Sequence, residues 1–169
     1  MILGMSLATF TMVHVIISLI AIVSGILVLF GILGSSRMPG LTAIFLLFTI
    51  LTSATGFLIP PLLSEKLLPS HMIGILSLVL LAIACIALYG MQLAGAWRWI
   101  YVVGAVISLY FNVFVLVVQS FEKIPALHAM APTQTEPPFK LTQLVVLALF
   151  ALLTIIAAIR FRPEQVPTA

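Results

Sequence analysis

The chain has 169 residues, of which 63% are hydrophobic and only 7% are charged. Soluble domains carry roughly a quarter charged residues, so this composition excludes a globular domain with a water-compatible surface. The net charge of +3 comes from a few scattered ions and not from a basic stripe, which also excludes a nucleic-acid-binding surface.

Five apolar segments are each long enough to cross the hydrocarbon core of a bilayer as a helix, which takes about 20 residues. No water satisfies backbone groups in lipid, so such segments are either helices or strands of a closed barrel. The uninterrupted apolar run from Val145 to Phe150 lacks the alternation of barrel strands. The sequence therefore predicts an all-α integral membrane bundle of five transmembrane helices, at about 8–33, 41–61, 71–95, 97–121 and 141–159.

The chain is expected to form a single membrane domain over residues 1–169, because no linker or low-complexity tract interrupts it. The first segment lacks the positively charged start and short apolar run of a cleaved signal peptide, so we interpret it as a transmembrane helix. Pro60 follows Gly56 by four residues and removes a backbone donor, so the second helix is expected to kink or end near this point.

The positive charges predict an orientation. If the five helices alternate in direction, four arginines share one side and three lysines share the other, namely Arg37, Arg98, Arg160 and Arg162 against Lys66, Lys123 and Lys140. The positive-inside rule acts most strongly next to helix ends, where Arg160 and Arg162 lie. We therefore expect a bacterial inner-membrane protein with a periplasmic N-terminus and a cytoplasmic C-terminus, and with Trp97, Trp99 and Tyr101 as an aromatic anchor at the inner interface.

A short internal similarity supports the helix count. At one constant offset, three residues of the first segment recur in the third, Ser18, Leu19 and Gly31 as Ser77, Leu78 and Gly90, and Phe30 is matched by Tyr89. This similarity predicts a two-hairpin internal repeat followed by a fifth helix. Gly104, Ser108 and Asn112 lie at i, i+4 and i+8 of the fourth segment, a small-residue stripe typical of close helix packing.

Histidines are the only membrane residues able to change charge near neutral pH, since the only Asp, Glu, Lys or Arg within the five segments is Arg98, which keeps its charge. This pattern disfavours proton pumps and coupled transporters. His14 lies about two turns into the first helix and His71 opens the third, so both are expected at the outer side, within about 3 Å in depth. Two imidazoles from facing helices suit axial ligation of haem b. Ser18 and Thr11 are expected to hydrogen-bond the second ring nitrogen of His14 or that of a neighbour.

A polar face of the fourth helix leads toward the longest loop. Asn112 and Gln119 share this face, and we predict that they orient a quinone or a water beneath the outer loop at 122–140. Loops of this length are usually functional or disordered, and this one is interpreted either as a lid or as a proline-rich turn. Pro125 is expected to start a short surface helix over 126–131 that presents His128.

Two alternatives remain open. Every histidine has a methionine close by in sequence, Met12 for His14, Met72 for His71 and Met130 for His128. Imidazole with thioether suits copper, particularly Cu(I), with His128 as a third ligand. Alternatively the chain binds no cofactor and is a non-catalytic subunit of a homo-oligomer or a larger membrane complex, because it exposes little polar surface for catalysis. Whether it is an enzyme is left open.

Residues 112–119 (NVFVLVVQ) followed by 131–139 (APTQTEPPF) resemble an uncharacterised group of small multi-pass bacterial inner-membrane proteins. The resemblance implies the location and the helix count, and it transfers no activity. The chain is also similar to small haem-b membrane cytochromes, in architecture alone: a helical bundle with intramembrane histidines. It has too few membrane histidines for two bis-histidine haems, which disfavours electron transfer across the whole membrane.

Overall fold

A computed structural model describes residues 2–59 and 69–163, with side chains from His71 onward in the second range. The described residues form α-helices and one short π-helical turn, with no strand. In chain order these are α1 (Leu7–Leu33), α2 (Pro39–Gly56), α3 (Pro69–Cys85), the π turn (Ile86–Gly90), α4 (Trp97–Lys123), α5 (Pro125–Met130) and α6 (Pro137–Arg160). All of the helices except α5 are long and apolar enough to span a membrane, α3 together with the π turn. The predicted all-α bundle of five spanning helices is confirmed, and these helices indicate insertion into a membrane.

Two predicted segments are shorter as helices than expected. The second was predicted to run to residue 61, but α2 ends at Gly56, and the amides of Leu58 and Ile59 bond three residues back. The effect predicted for Pro60 itself lies outside the described residues. The third was predicted to run to residue 95, but it ends at Gly90, because Gln92 and Leu93 have φ values of 49° and 61° that a helix does not allow.

The other segments differ at their ends by a few residues. Prolines begin α2, α5 and α6 at the first helical position, where the missing N–H has no partner to lose. At the start of α1, the side chain of Ser6 accepts a hydrogen bond from the amide of Thr9. The helix α4 extends past the predicted residue 121 to Lys123, and α6 starts before the predicted residue 141.

The connection predicted as a loop over 122–140 is therefore mostly helical. The short surface helix predicted over 126–131 is α5, which starts and ends one residue earlier. Its irregular part is a turn around Glu136, whose carboxylate accepts hydrogen bonds from the hydroxyl of Thr133 and the amides of Thr133 and Thr135. The Thr133 hydroxyl is the largest cause of a pKa of Glu136 below its usual range. The side chain of Gln134 donates to the carbonyl of Val118 at 3.1 Å and ties this turn to α4.

The core lies around α4, which packs against each of the other four spanning helices. Small residues set the spacing: a Cβ on Gly104 would lie 3.2 Å from the carbonyl oxygen of Leu80 on α3. A Cβ on Gly25 of α1 would lie 2.6 Å from the side chain of Leu109 and 2.8 Å from the ring of Phe45. The interpretation of the α4 stripe as a packing surface therefore agrees with the close approach of α3 at Gly104.

The bundle has two ends. At the histidine end α1, α3 and α6 begin and α2 and α4 finish; at the arginine end the reverse holds, and it carries Arg37, Arg98, Arg160 and Arg162. Large apolar side chains cover much of the outside, as expected for a surface in contact with lipid. The expectation for Tyr101 as an interfacial anchor is wrong, because its ring is 2% exposed and packs against Phe161 in the core.

Candidate functional site

A cavity of about 580 Å³ opens among α1, α2, α3 and α4 at the histidine end. This volume lies within the range of about 300–1,000 Å³ that small-molecule and cofactor sites occupy. Its walls are mostly apolar, with polar side chains contributed by all four helices. The four residues predicted from the sequence as a binding site all line it: His14, His71, Asn112 and Gln119.

His14 projects from α1 toward the end of α2, and it is half-buried. Its Nδ1 lies 2.7 Å from the hydroxyl oxygen of Thr55. That hydroxyl also lies 2.7 Å from the carbonyl of Leu51, to which it donates its single proton. With the Thr55 proton on the Leu51 carbonyl, the Thr55 oxygen accepts from Nδ1–H of His14. This arrangement selects the tautomer of His14 in which Nε2 carries a lone pair.

The partner of His14 differs from the expected ones. Ser18 donates to the main-chain carbonyl of His14 at 2.7 Å, and its hydroxyl is therefore committed to its own helix. Thr11 lines the cavity without a hydrogen bond to the ring in the described structure. A usable signal for Thr55 exists in the sequence, because antiparallel helices joined by a short turn place residues equidistant from that turn at one depth. His14 lies 19 residues before the end of α1 (33 − 14) and Thr55 lies 16 residues after the start of α2 (55 − 39), so their depths differ by about 4.5 Å, less than one helical turn.

His71 lies in the first turn of α3, on the other side of the end of α2. Its ring stacks on Phe57, with ring centroids 5.7 Å apart and the planes 15° from parallel. Gly74, one turn further along α3, leaves room for the same phenyl ring, since a Cβ there would lie 3.0 Å from it. His71 is thus oriented by an aromatic neighbour. Since α2 and α4 both pack against α1 and α3, they bridge the helices that carry the two histidines.

Polar groups also line the deeper part of the cavity. The Nδ2 of Asn112 donates to the hydroxyl of Thr49 at 3.2 Å, which joins α4 to α2. Ser77 of α3 is 2% exposed, and its hydroxyl has no hydrogen-bond partner in the described structure. A buried hydroxyl without a partner is unfavourable by about 1–3 kcal/mol. Ser77 is therefore a candidate contact for a polar ligand atom. From the sequence, Ser77 is notable only as the counterpart of Ser18 in the internal repeat.

The rim of the cavity is formed by the end of α4. Gln119 lies half-buried with its Nε2 3.5 Å from a carboxylate oxygen of Glu122, and Lys123 and Ile124 complete this edge. Of the predicted outer loop, only residues 122–124 line the cavity. The rim consequently carries charges of both signs above apolar walls.

His128 does not join this site. It lies on α5 with its side chain exposed and is not among the cavity-lining residues. Met12, Met72 and Met130 are all more than half exposed and are not among them either. Among residues 2–59 and 69–163, no group of three or more His, Cys, Asp or Glu side chains could hold a metal ion. The structure thus places the proposed haem and quinone residues around one cavity. Of the proposed copper residues, His14 and His71 line it, whereas His128 and the three methionines do not.

Comparison of the chain with profiles of known protein families, with curated proteins and with solved structures finds no match. The interpretation of this cavity therefore depends on its own chemistry.

Proposed function

We propose that the chain is a redox protein of the bacterial inner membrane that binds haem b in the cavity of α1–α4, with His14 as an axial ligand. The observation that carries the proposal is the hydrogen bond from His14 Nδ1 to Thr55. Histidines that ligate metals almost always donate their other ring N–H to a neighbouring acceptor, which fixes the tautomer and the ring orientation.

The rest of the cavity suits a large flat apolar group with acidic substituents. Apolar residues from three helices, including Ile22, Phe57 and Phe111, form much of its walls. Lys123 at the rim offers a positive charge to the propionates of a haem. His71 would supply the second axial ligand in this proposal, held by its stacking on Phe57.

The proposed orientation places the histidine end at the periplasm. It is supported by the four arginines at the opposite end, because Lys and Arg next to spanning helices favour the cytoplasmic side. In a Cys85→Ser background, a cysteine placed at Thr135 should react with a membrane-impermeant maleimide in intact cells, and one at Ser36 should react only after lysis. The reverse labelling pattern would contradict this orientation.

The haem proposal is tested by the absorption spectrum of the protein purified in detergent, before and after reduction with dithionite. We expect a Soret band and, on reduction, an α band, and we expect His14→Ala to remove them. Full haem retention in both His14→Ala and His71→Ala would exclude this ligand pair. A colourless protein that also fails to take up added haem would exclude the function itself.

A second candidate, quinol binding without haem, is favoured by the unpartnered hydroxyl of Ser77. The Nε2 lone pair of His14 would accept from a quinol hydroxyl, while Ser77 and Asn112 would contact oxygens on the ring. Organic extraction of the purified protein followed by chromatography should then recover quinone, and Ser77→Ala should reduce the amount. Metal analysis of the same sample distinguishes the copper alternative. Recovery of neither haem, quinone nor copper would leave the chain as a non-catalytic subunit.

A further inference from the structure

A second cavity, of about 180 Å³, lies at the arginine end of the bundle. The end of α1, the start of α2, the π turn, the start of α4 and the residue after α6 all contribute to its walls. It shares no lining residue with the cavity at the histidine end. Any ligand of this second cavity therefore binds independently of the haem or quinol proposed above.

The polar lining of this cavity consists of one cation and several hydroxyls. They are Arg37, Ser36, Thr42, Tyr89 and Tyr101. Thr42 and Tyr101 are buried at the inner wall, at 5% and 2% exposure, and their side chains hydrogen-bond to each other. Arg37 is exposed and lies at the opening. A cationic fork above inward-lying hydroxyls is the donor set that a phosphate group requires.

Two arginines at this end of the bundle, Arg37 and Arg98, have different surroundings. Arg98 donates from Nη1 to the main-chain carbonyls of Phe161 and Ala158, and so it caps the end of α6. No hydrogen bond or ion pair within the described residues occupies the guanidinium of Arg37. Arg98 therefore has a structural role, whereas Arg37 keeps its donors for a ligand.

The backbone beside this cavity departs from regular α-helix at the π turn and at Leu93. The π turn is closed by the amide of Met91 bonding to the carbonyl of Ile86, and the amide of Leu93 bonds to the carbonyl of Ala87. Leu93 adopts a φ of 61° and is buried in the cavity wall at 4% exposure. Left-handed conformations of apolar residues and π turns are both concentrated at functional sites.

We infer that this cavity binds a phosphate group, with Arg37, the hydroxyls of Ser36 and Tyr89, and one hydroxyl of the Thr42–Tyr101 pair as its donors. Its volume corresponds to about six water molecules at roughly 30 Å³ each, so it accommodates a phosphate and not a whole lipid. The described residues of the arginine end include four arginines and no Asp or Glu. Basic pockets between spanning helices on the cytoplasmic side bind the headgroups of anionic lipids. A phospholipid headgroup and a free phosphate offer the same chemistry.

The experiment compares the intact protein with Arg37→Gln and Arg160→Gln. Both variants remove one exposed arginine from the same end, but Arg160 does not line the cavity. Each is measured in detergent with inorganic phosphate, and in nanodiscs containing either phosphatidylcholine alone or phosphatidylglycerol. The readouts are the thermal unfolding midpoint and the lipids retained in native mass spectrometry.

In the wild type and in Arg160→Gln we expect retained phosphatidylglycerol and a raised unfolding midpoint, and in Arg37→Gln about fivefold weaker retention, as for one interfacial arginine. Arg37→Lys, which keeps the charge and loses the guanidinium fork, should give an intermediate value. Stabilisation by inorganic phosphate that depends on Arg37 would also support the site and identify the free ion as its source. Equal responses of Arg37→Gln and Arg160→Gln in every arm would overturn the proposal.

Discussion

The replacement Thr55→Val tests the part of the structure on which the proposed haem site depends. Valine keeps the shape and β-branching of threonine, so the packing of α2 should change little. The replacement removes the acceptor for His14 Nδ1–H, whose distance to the hydroxyl oxygen is 2.7 Å. The ring of His14 is then free to rotate and to change tautomer. Its Nε2 is no longer fixed as the ligand atom.

The expected size follows from the partners that are lost. A half-buried ring N–H without an acceptor, together with the lost hydrogen bond, should lower the free energy of unfolding by about 1–2 kcal/mol. Loss of such an outer-shell partner typically weakens metal binding by about 10–100-fold. Haem affinity in Thr55→Val should therefore fall by one to two orders of magnitude, measured by titrating haem into the protein in detergent.

The chain offers a closely matched control. Thr52 lies one turn earlier on α2, lines the same cavity, and donates its hydroxyl to the carbonyl of Phe48 in its own helix at 2.8 Å. Thr52→Val makes the same chemical change without touching His14, and its haem affinity should stay within about twofold of the wild type, as for a residue with no ligand contact. If Thr52→Val and Thr55→Val lose haem to the same extent, the role assigned to Thr55 is refuted.

Three further predictions concern packing, polarity and pH. Gly25→Ala should lower the free energy of unfolding by about 1–3 kcal/mol, because the new Cβ would overlap neighbouring side chains. Gly40→Ala, whose Cβ would have no atom within 4 Å, should not lower it. Denaturation in mixed micelles followed by circular dichroism compares the two variants, and equal losses would contradict this explanation. Ser77→Ala should raise the free energy of unfolding of the ligand-free protein by about 1 kcal/mol, because it removes a buried hydroxyl without a partner. A lower free energy of unfolding in the same assay would show that the hydroxyl is hydrogen-bonded. Because the pKa of Glu136 is lowered in the folded protein, its carboxylate stabilises the turn above the usual carboxyl range, and this contribution is lost as the pH falls through the folded-state pKa. Amide exchange at Thr133 and Thr135 should therefore accelerate in acid. In Glu136→Gln, the exchange rate should be independent of pH after correction for the intrinsic rate.

The helical bundle was predictable because backbone groups in lipid must be hydrogen-bonded within helices or closed barrels, and the apolar segments lack the alternation of barrel strands. The ends of the helices were harder to predict, since apolar residues continue past the points where the backbone leaves the helical conformation. Leu93 is a clear case: it is apolar and buried, yet its positive φ ends the third spanning segment. Proline marks the start of α5 at Pro125, as predicted. The starts predicted at 41, 71 and 141 lie two to four residues after Pro39, Pro69 and Pro137, where those helices begin.

The four polar residues predicted as a binding site line one cavity, whereas the hydrogen-bond partners predicted for His14 differ from the observed one. Helix alternation and the spacing of Asn112 and Gln119 were enough to place four polar residues around one cavity. The partner of His14 depends on which helix packs beside it, and intrahelical spacing favoured Ser18 over Thr55. The buried hydroxyl of Ser77 became informative only when the neighbours around it were known.

The most direct test of the central claim is a haem titration of the wild type, His14→Ala and His128→Ala, scored by the Soret band. His128 supplies a matched control because it is exposed at the same end of the bundle and does not line the cavity. We predict one haem per chain in the wild type and in His128→Ala, and none in His14→Ala. Unchanged haem uptake by His14→Ala, or no uptake by any of the three, would contradict the central claim.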